Sequence, residues 1–243
     1  METGTYSTAS ADSGARRPTY RPPEYVHEVR AQDAFRELEA SDLRMAPPVL
    51  YMAGDLSLLS MRRVSIIGSR SASPDGLKRA AKLARQLAQA GVVVVSGLAK
   101  GIDTAAHQAA IEAGGRTLAV IGTPLQRAYP AENAPLQERI YREHLLVSQF
   151  PAGQRTFGSH FVQRNRTMAM LSHVSVIVEA GETSGSLSQA AETQRIGRSL
   201  FIMRNVLANT ELQWPHKFLN AVKVRAPAQI LDETVQILRI LEL

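Results

Sequence analysis

VVVVSGLAKGIDTAAH, residues 92–107, decides the fold. Val92–Val95 is an apolar run of buried-strand length. Ser96 to Asp103 is a loop rich in small residues, and a helical pattern follows over Thr104–Ala113 up to Gly114-Gly115. Asp103 reads as the N-cap of that helix rather than as an acid–base group. Gly97 and Gly101 permit a tight turn and close backbone approach to a ligand. Ser96 and Lys100 add side-chain donors suited to an anion. His107 reads as ordinary helix packing.

The same strand, small-residue loop and helix recur on either side. Arg63–Ile67 runs into Gly68-Ser69-Arg70, and Val174–Glu179 runs into Ser184-Gly185-Ser186-Leu187. Helix N-termini carry partial positive charge and free N–H groups, so such loops suit phosphate. A parallel sheet gathers these loops at one edge, where open α/β folds bind ligands. Arg70 is placed to clamp a phosphate there. Arg164-Asn165-Arg166 adds a fourth basic element. Residues two apart on a regular helix do not share a face. The two Arg therefore converge only in a terminal turn; otherwise one is structural and pairs with a carboxylate such as Glu179. Tyr129 either stacks on a base or packs over the sheet edge.

Outward from these motifs the alternation continues. Helices are expected over Gly76–Ala90, Pro135–Arg142, Phe161–Leu171 and Gly185–Arg195. Further strands are expected at Thr117–Ile121, Leu145–Ser148, Leu200–Met203 and Val222–Val224, with a final helix over Pro227–Leu241. The N-terminal part is less regular. Residues 1–23 read as a disordered tail, 29–43 as a helix with a weak stripe (Ala31, Phe35, Leu38, Leu43), and Val49–Met52 as a short edge strand. The expected domains are therefore a 1–23 tail, a 24–60 helical and edge segment, and a Rossmann-like unit over 61–243. The fold class is α/β, an extended Rossmann-like and mostly parallel sheet with helices on both faces.

Composition narrows the function. The 243 residues hold no Cys, which excludes disulfides, thiolate catalysis and Cys-based zinc sites. The six His are scattered without an i, i+4 pair, so no metal is expected. No membrane span or secretory leader is expected, which suits a cytoplasmic protein. Residues 1–60 carry six Arg and nine Asp/Glu, net −3, whereas 61–243 carry 22 basic and 13 acidic residues, net +9. A basic folded part favours a polyanion. Gly-x-Gly-x-x-Gly, Gly-x4-Gly-Lys-Ser/Thr and Gly-x-Ser-x-Gly are all absent, so no dinucleotide, ATP or hydrolase signature is present.

In order and spacing, Ile66–Arg70, Val94–His107, Tyr129–Asn133, Phe161–Arg166 and Glu179–Leu187 resemble the DNA-processing protein A family (DprA, also called Smf). The likeness runs over about Arg63–Val206. It implies an extended Rossmann domain that binds single-stranded DNA, protects it during natural transformation, helps load a RecA-type recombinase and works as a homodimer. It implies no catalysis and no cofactor. By match, Arg70, Ser96, Lys100, Arg164, Asn165 and Arg166 would line a positive pocket, with Gly68, Ser69, Gly97 and Gly101 in its loops. Ser184, Gly185 and Ser186 would complete it. The chain departs from the family at Lys100, usually Arg, at Gly122-Thr123-Pro124, at Gln189 and at Arg204-Asn205. It also reads as a short form without a winged helix. The alternative is a nucleotide sensor or phosphoribohydrolase of the wider superfamily, with Glu192 as its helix carboxylate.

Overall fold

The computed structural model describes residues 20–219. Most of the expected tail, the Val222–Val224 strand and the Pro227–Leu241 helix lie outside the described residues. Eight strands are described: β1 (His27–Arg30), β2 (Val49–Gly54), β3 (Arg63–Gly68), β4 (Val93–Ser96), β5 (Thr117–Ile121), β6 (Leu145–Ser148), β7 (Val174–Glu179) and β8 (Ser199–Ile202). They form one sheet in the order β1-β2-β6-β5-β4-β3-β7-β8. All pairs from β6 to β8 are parallel, while β1 with β2 and β2 with β6 pair antiparallel at one edge.

Two one-turn helices, α1 (Ala31–Ala34) and α2 (Ala40–Leu43), precede the parallel units. Then α3 (Pro74–Gln89), α4 (Ile102–Glu112) and α5 (Ala134–Glu143) cover one face of the sheet. The other face is covered by α6 (Gly158–Leu171) and α7 (Ser186–Arg195). Single residues of a strand alternate between these layers: Val93 and Val95 face α6, and Val94 faces α3 and α4. The strand order reverses between β3 and β7, since one crossover from β3 leads to β4 and one from β7 leads to β8 on the far side. That reversal opens a crevice above the C-terminal ends of β3 and β7.

Capping and polar pairing fix the elements around the crevice. Ser73 caps α3 by accepting from Gly76 N–H at 2.9 Å, and Pro74 occupies the first turn. The buried Ser65 hydroxyl donates to Ser175 Oγ at 2.7 Å, and Gln189 Nε2 donates to Ser65 Oγ at 3.0 Å. Buried hydroxyls need such partners, and here the partners tie α7 to the central strands.

Three expectations are corrected. The 29–43 helix is instead the end of β1 plus two separate turns, because β1 backbone groups pair with β2; the stripe residues Phe35, Leu38 and Leu43 still pack on the core. The exposed side chains of β1, His27, Glu28 and Arg30, give an outer strand no apolar run to announce it. β2 is consequently second in the sheet, not its edge. Asp103 does not cap α4: Gly101 holds that place with φ +76°, and the carboxylate instead accepts N–H groups from Gly97 and Ala99. Two short helices were not expected, α8 (Arg204–Leu207) and α9 (Trp214–Leu219).

Candidate nucleic-acid interface

The crevice is a cleft of about 660 Å³. Its walls are the loops after β3 and β7 and one face of α6. Phe161, Arg164, Asn165 and Met168 all line it. Their spacing of i, i+3, i+4 and i+7 is the single-face spacing of a helix. A smaller space of about 180 Å³ adjoins it, bounded by Arg70, Lys100, Tyr129 and Phe161.

Arg70 is the exposed cation of the cleft. Its guanidinium carbon lies 5.7 Å from the centre of the Phe161 ring. It has no carboxylate partner among the described residues. Phe161 in turn packs against Tyr129, with ring centres 5.1 Å apart. Tyr129 is thus both packed over the edge and 45% exposed. Lys100 is also exposed, but its Nζ sits 2.6 Å from Glu132 Oε1. An exposed pair of this kind is easily exchanged for a phosphate.

Arg164 is a cation of another sort. It is 5% exposed and forms part of the cleft floor. Its guanidinium donates to the carbonyls of Gly97 and Val120 and to Asn165 Oδ1. Burial pushes its pKa down, opposed by Asp103. Burial likewise pushes the Asp103 carboxyl up, opposed by Arg164 and by the N–H groups it accepts. The two charges answer one another beneath the loop. Gly97 is required here: a Cβ would stand 2.0 Å from an Arg164 nitrogen. Gly101 is required too, since a Cβ would meet Ser69 O at 2.4 Å. Ile102 N–H donates to that same Ser69 carbonyl, at 3.3 Å, and so couples the loops after β3 and β4.

The remaining expected residues separate. Gly68, Ser69, Asn165, Ser184, Gly185 and Ser186 line the cleft. Ser184 and Ser186 share a hydroxyl hydrogen bond of 2.7 Å at the N-terminus of α7, which points its partial positive charge into the cleft. Asn165 Nδ2 donates to Gly185 O and Ser188 Oγ, fixing this helix start. Ser96 is corrected: it is fully buried, and its hydroxyl donates to Ile66 O at 2.7 Å, so it faces strand β3 instead of a ligand. Arg166 is corrected as well. It lies about 200° around the helix from Arg164 and pairs with Glu192 at 3.0 Å, outside the cleft lining. Burial raises the Glu192 pKa, but Arg166 and Arg195 outweigh it and hold the carboxyl low. Glu179 pairs with neither Arg; it accepts from Ser73 N–H and Oγ and anchors α3. His107 is packed, with Nδ1 2.6 Å from Thr117 Oγ1.

Exposed Phe157, Val162 and Thr183 were missed by sequence reading. Val162 and Thr183 line the cleft, and Phe157 T-stacks on His160 beside it. An apolar residue one place off a helix stripe carries no separate signal. Among the described residues, no His/Asp/Glu group could hold a metal ion, and no helix is long and apolar enough to cross a membrane.

Fold and cleft together define a doubly wound α/β protein with an anion-receptive crevice at its switch point. The sequence model of the DNA recombination-mediator protein A family matches residues 28–239, and the chain belongs to that family. It is 42% identical over 163 residues to DNA processing protein DprA of Streptococcus pneumoniae, covering 67% of this chain and 57% of that protein. To the Bacillus subtilis protein of the same name it is 36% identical, covering 71% and 59%. The chain thus spans under two thirds of these relatives. Among solved structures, that of the S. pneumoniae protein superposes with a TM-score of 0.73 at 35% identity, over 86% of this chain and 74% of that one. DNA processing protein A of Helicobacter pylori, described for its single-stranded DNA binding mode, superposes at 0.69 and 27% identity, over 88% and 96%. A molybdenum cofactor binding protein from Rippkaea orientalis shares the fold, with a TM-score of 0.52 at 19% identity, over 74% of this chain and 98% of that one.

Proposed function

We propose that the chain binds single-stranded DNA through the cleft above β3 and β7. The observation that carries this reading is Arg70, an exposed guanidinium with no described carboxylate on it, stacked beside Phe161 and lining the same cleft as the N-terminus of α7. A strand of nucleic acid needs cations for its phosphates and π-faces for its bases. Here both stand within one groove, with hydroxyl and backbone donors opposite. Arg70 and Lys100 meet backbone phosphates, while Ser184, Gly185 and Ser186 cradle another. Arg164 and Asn165 act from below by holding the loops. Recognition would track the backbone with little sequence preference.

The wider roles rest on the same reading. We infer protection of single strands, with delivery to a RecA-type recombinase by a homodimer as the finer expectation from family resemblance. The nucleotide-sensor or phosphoribohydrolase alternative is weakened by Glu192, which is tied to Arg166 and Arg195 away from the cleft.

Labelled oligo-dT titrated at 50 and 200 mM salt, with matched duplex as competitor, tests the proposal. Tight binding that falls steeply with salt and resists duplex supports it. Absent binding by folded protein, or release of free base from a nucleoside monophosphate, overturns it in favour of the alternative.

A further inference from the structure

The opposite edge of the sheet holds a second charged site. Strands β3, β7 and β8 begin there and bring Arg63, His173 and Arg198 together, each no more than 4% exposed. Glu37, between α1 and α2, reaches into this group. Its Oε2 lies 2.7 Å from His173 Nε2 and 3.6 Å from one guanidinium nitrogen of each Arg. His173 Nδ1 accepts Arg63 N–H at 3.0 Å, so Nε2 carries the proton and the ring is neutral. Two guanidinium charges therefore face one carboxylate.

The two Arg are not equally satisfied. Arg63 donates to the carbonyls of Leu59, Met61 and Leu171. Arg198 Nε and Nη1 are buried and have no hydrogen-bond partner among the described residues. Open donors on a buried cation are costly, and natural proteins rarely leave them so. A cavity of about 570 Å³ opens on this Arg, with Phe35, Leu59 and Met170 in its walls and Arg36, Asp33 and Glu37 around it. One unmatched positive charge calls for a monoanion. The apolar walls call for a hydrocarbon body, and Asp33 and Glu37 disfavour a dianion.

We propose that this cavity binds an organic carboxylate, the carboxyl group on Arg198 and the apolar body against Phe35, Leu59 and Met170. A planar carboxylate matches the guanidinium fork. Glu37 competes for the same cations and sets the affinity.

The test is NMR observation of the arginine Nε–H groups during titration with 3-phenylpropanoate, its neutral amide and inorganic phosphate. The acid should shift Arg198 saturably, with the amide and phosphate at least tenfold weaker. Arg198→Met should weaken the acid at least tenfold, and Glu37→Gln should tighten it severalfold. Oligo-dT affinity should be unchanged in Arg198→Met, because the DNA cleft lies at the other sheet edge. Acetyl-Leu-Leu with a free carboxylate, against its amide, distinguishes a protein tail from a small acid; preference for either free acid supports the site. Equal binding of acid and amide, phosphate binding as tight as the acid, weaker binding in Glu37→Gln, or no saturable shift overturns it. Should Arg198→Met fail to fold, the wild-type probe series and Glu37→Gln still decide.

Discussion

Around the cleft, three arginines take three different jobs, and substitution separates them. Arg70→Ala removes an exposed cation that no described carboxylate holds. Oligo-dT affinity should fall about tenfold, and the salt slope should shrink by about 0.7 because one phosphate is no longer neutralised. Circular dichroism should be unchanged. Arg164→Ala leaves Asp103 buried without its opposing charge and three acceptors without their donor. Urea unfolding should report a loss of about 3–5 kcal/mol, because a buried carboxylate loses its compensating charge and three acceptors lose their donor. Arg166→Ala breaks a half-exposed pair with Glu192. It should cost under about 1 kcal/mol and leave DNA affinity within a factor of two. Loss of binding in Arg166→Ala alone would place the strand on the wrong face of α6.

Elements meet at the cleft with little space to spare. Gly101→Ala would combine a left-handed backbone, φ +76°, with a Cβ 2.4 Å from Ser69 O. The loop after β4 must then move off the loop after β3. Both stability and DNA affinity should drop together, with a loss of about 1–3 kcal/mol in denaturant titration. Leu98 shows that this loop holds unusual backbone elsewhere: it is fully buried at φ +57°. That Phe161, Arg164, Asn165 and Met168 share one cleft face was visible only in the fold; the helix over Phe161–Leu171 itself was readable from the sequence, as were the apolar strands. β1 was not, because an outer strand is recognised by what it pairs with. Asp103 was misread for a related reason. An acidic residue at a helix start usually caps its own helix, whereas here it accepts N–H groups of the incoming loop.

For the whole molecule, stability should fall in acid. Burial lowers the His107 pKa from 6.5 to about 3, so the unfolded chain takes up a proton below pH 6.5 that the fold refuses. That contribution is complete above pH 6.5 and is lost toward pH 3. Glu37 is held at about 2, chiefly by the hydrogen bond from His173, against an ordinary 4.5. A depressed carboxyl stabilises above pH 4.5 and ceases to do so as pH falls to 2. Thermal melts from pH 8 to 3 should therefore show Tm falling in two stages, first below 6.5 and then below 4.5. Glu37→Gln should lower Tm at pH 7 and remove the second stage; a second stage that persists would assign it to other carboxylates.

By itself the sequence determined the parallel α/β architecture, the loops that meet at its C-terminal edge and the basic balance of the folded part. Those features are local: apolar runs, helix stripes and small residues at turns follow from neighbours along the chain. Which cations are free follows from packing alone. Arg70, Arg164 and Arg166 have the same side chain, yet one is open, one is buried on carbonyls and one is spent on Glu192. Packing also decided that Arg63, His173 and Arg198 converge on Glu37, since strand starts far apart in sequence become neighbours only when the sheet closes. A charge is written in the sequence, but its partner and its distance from water are set by packing.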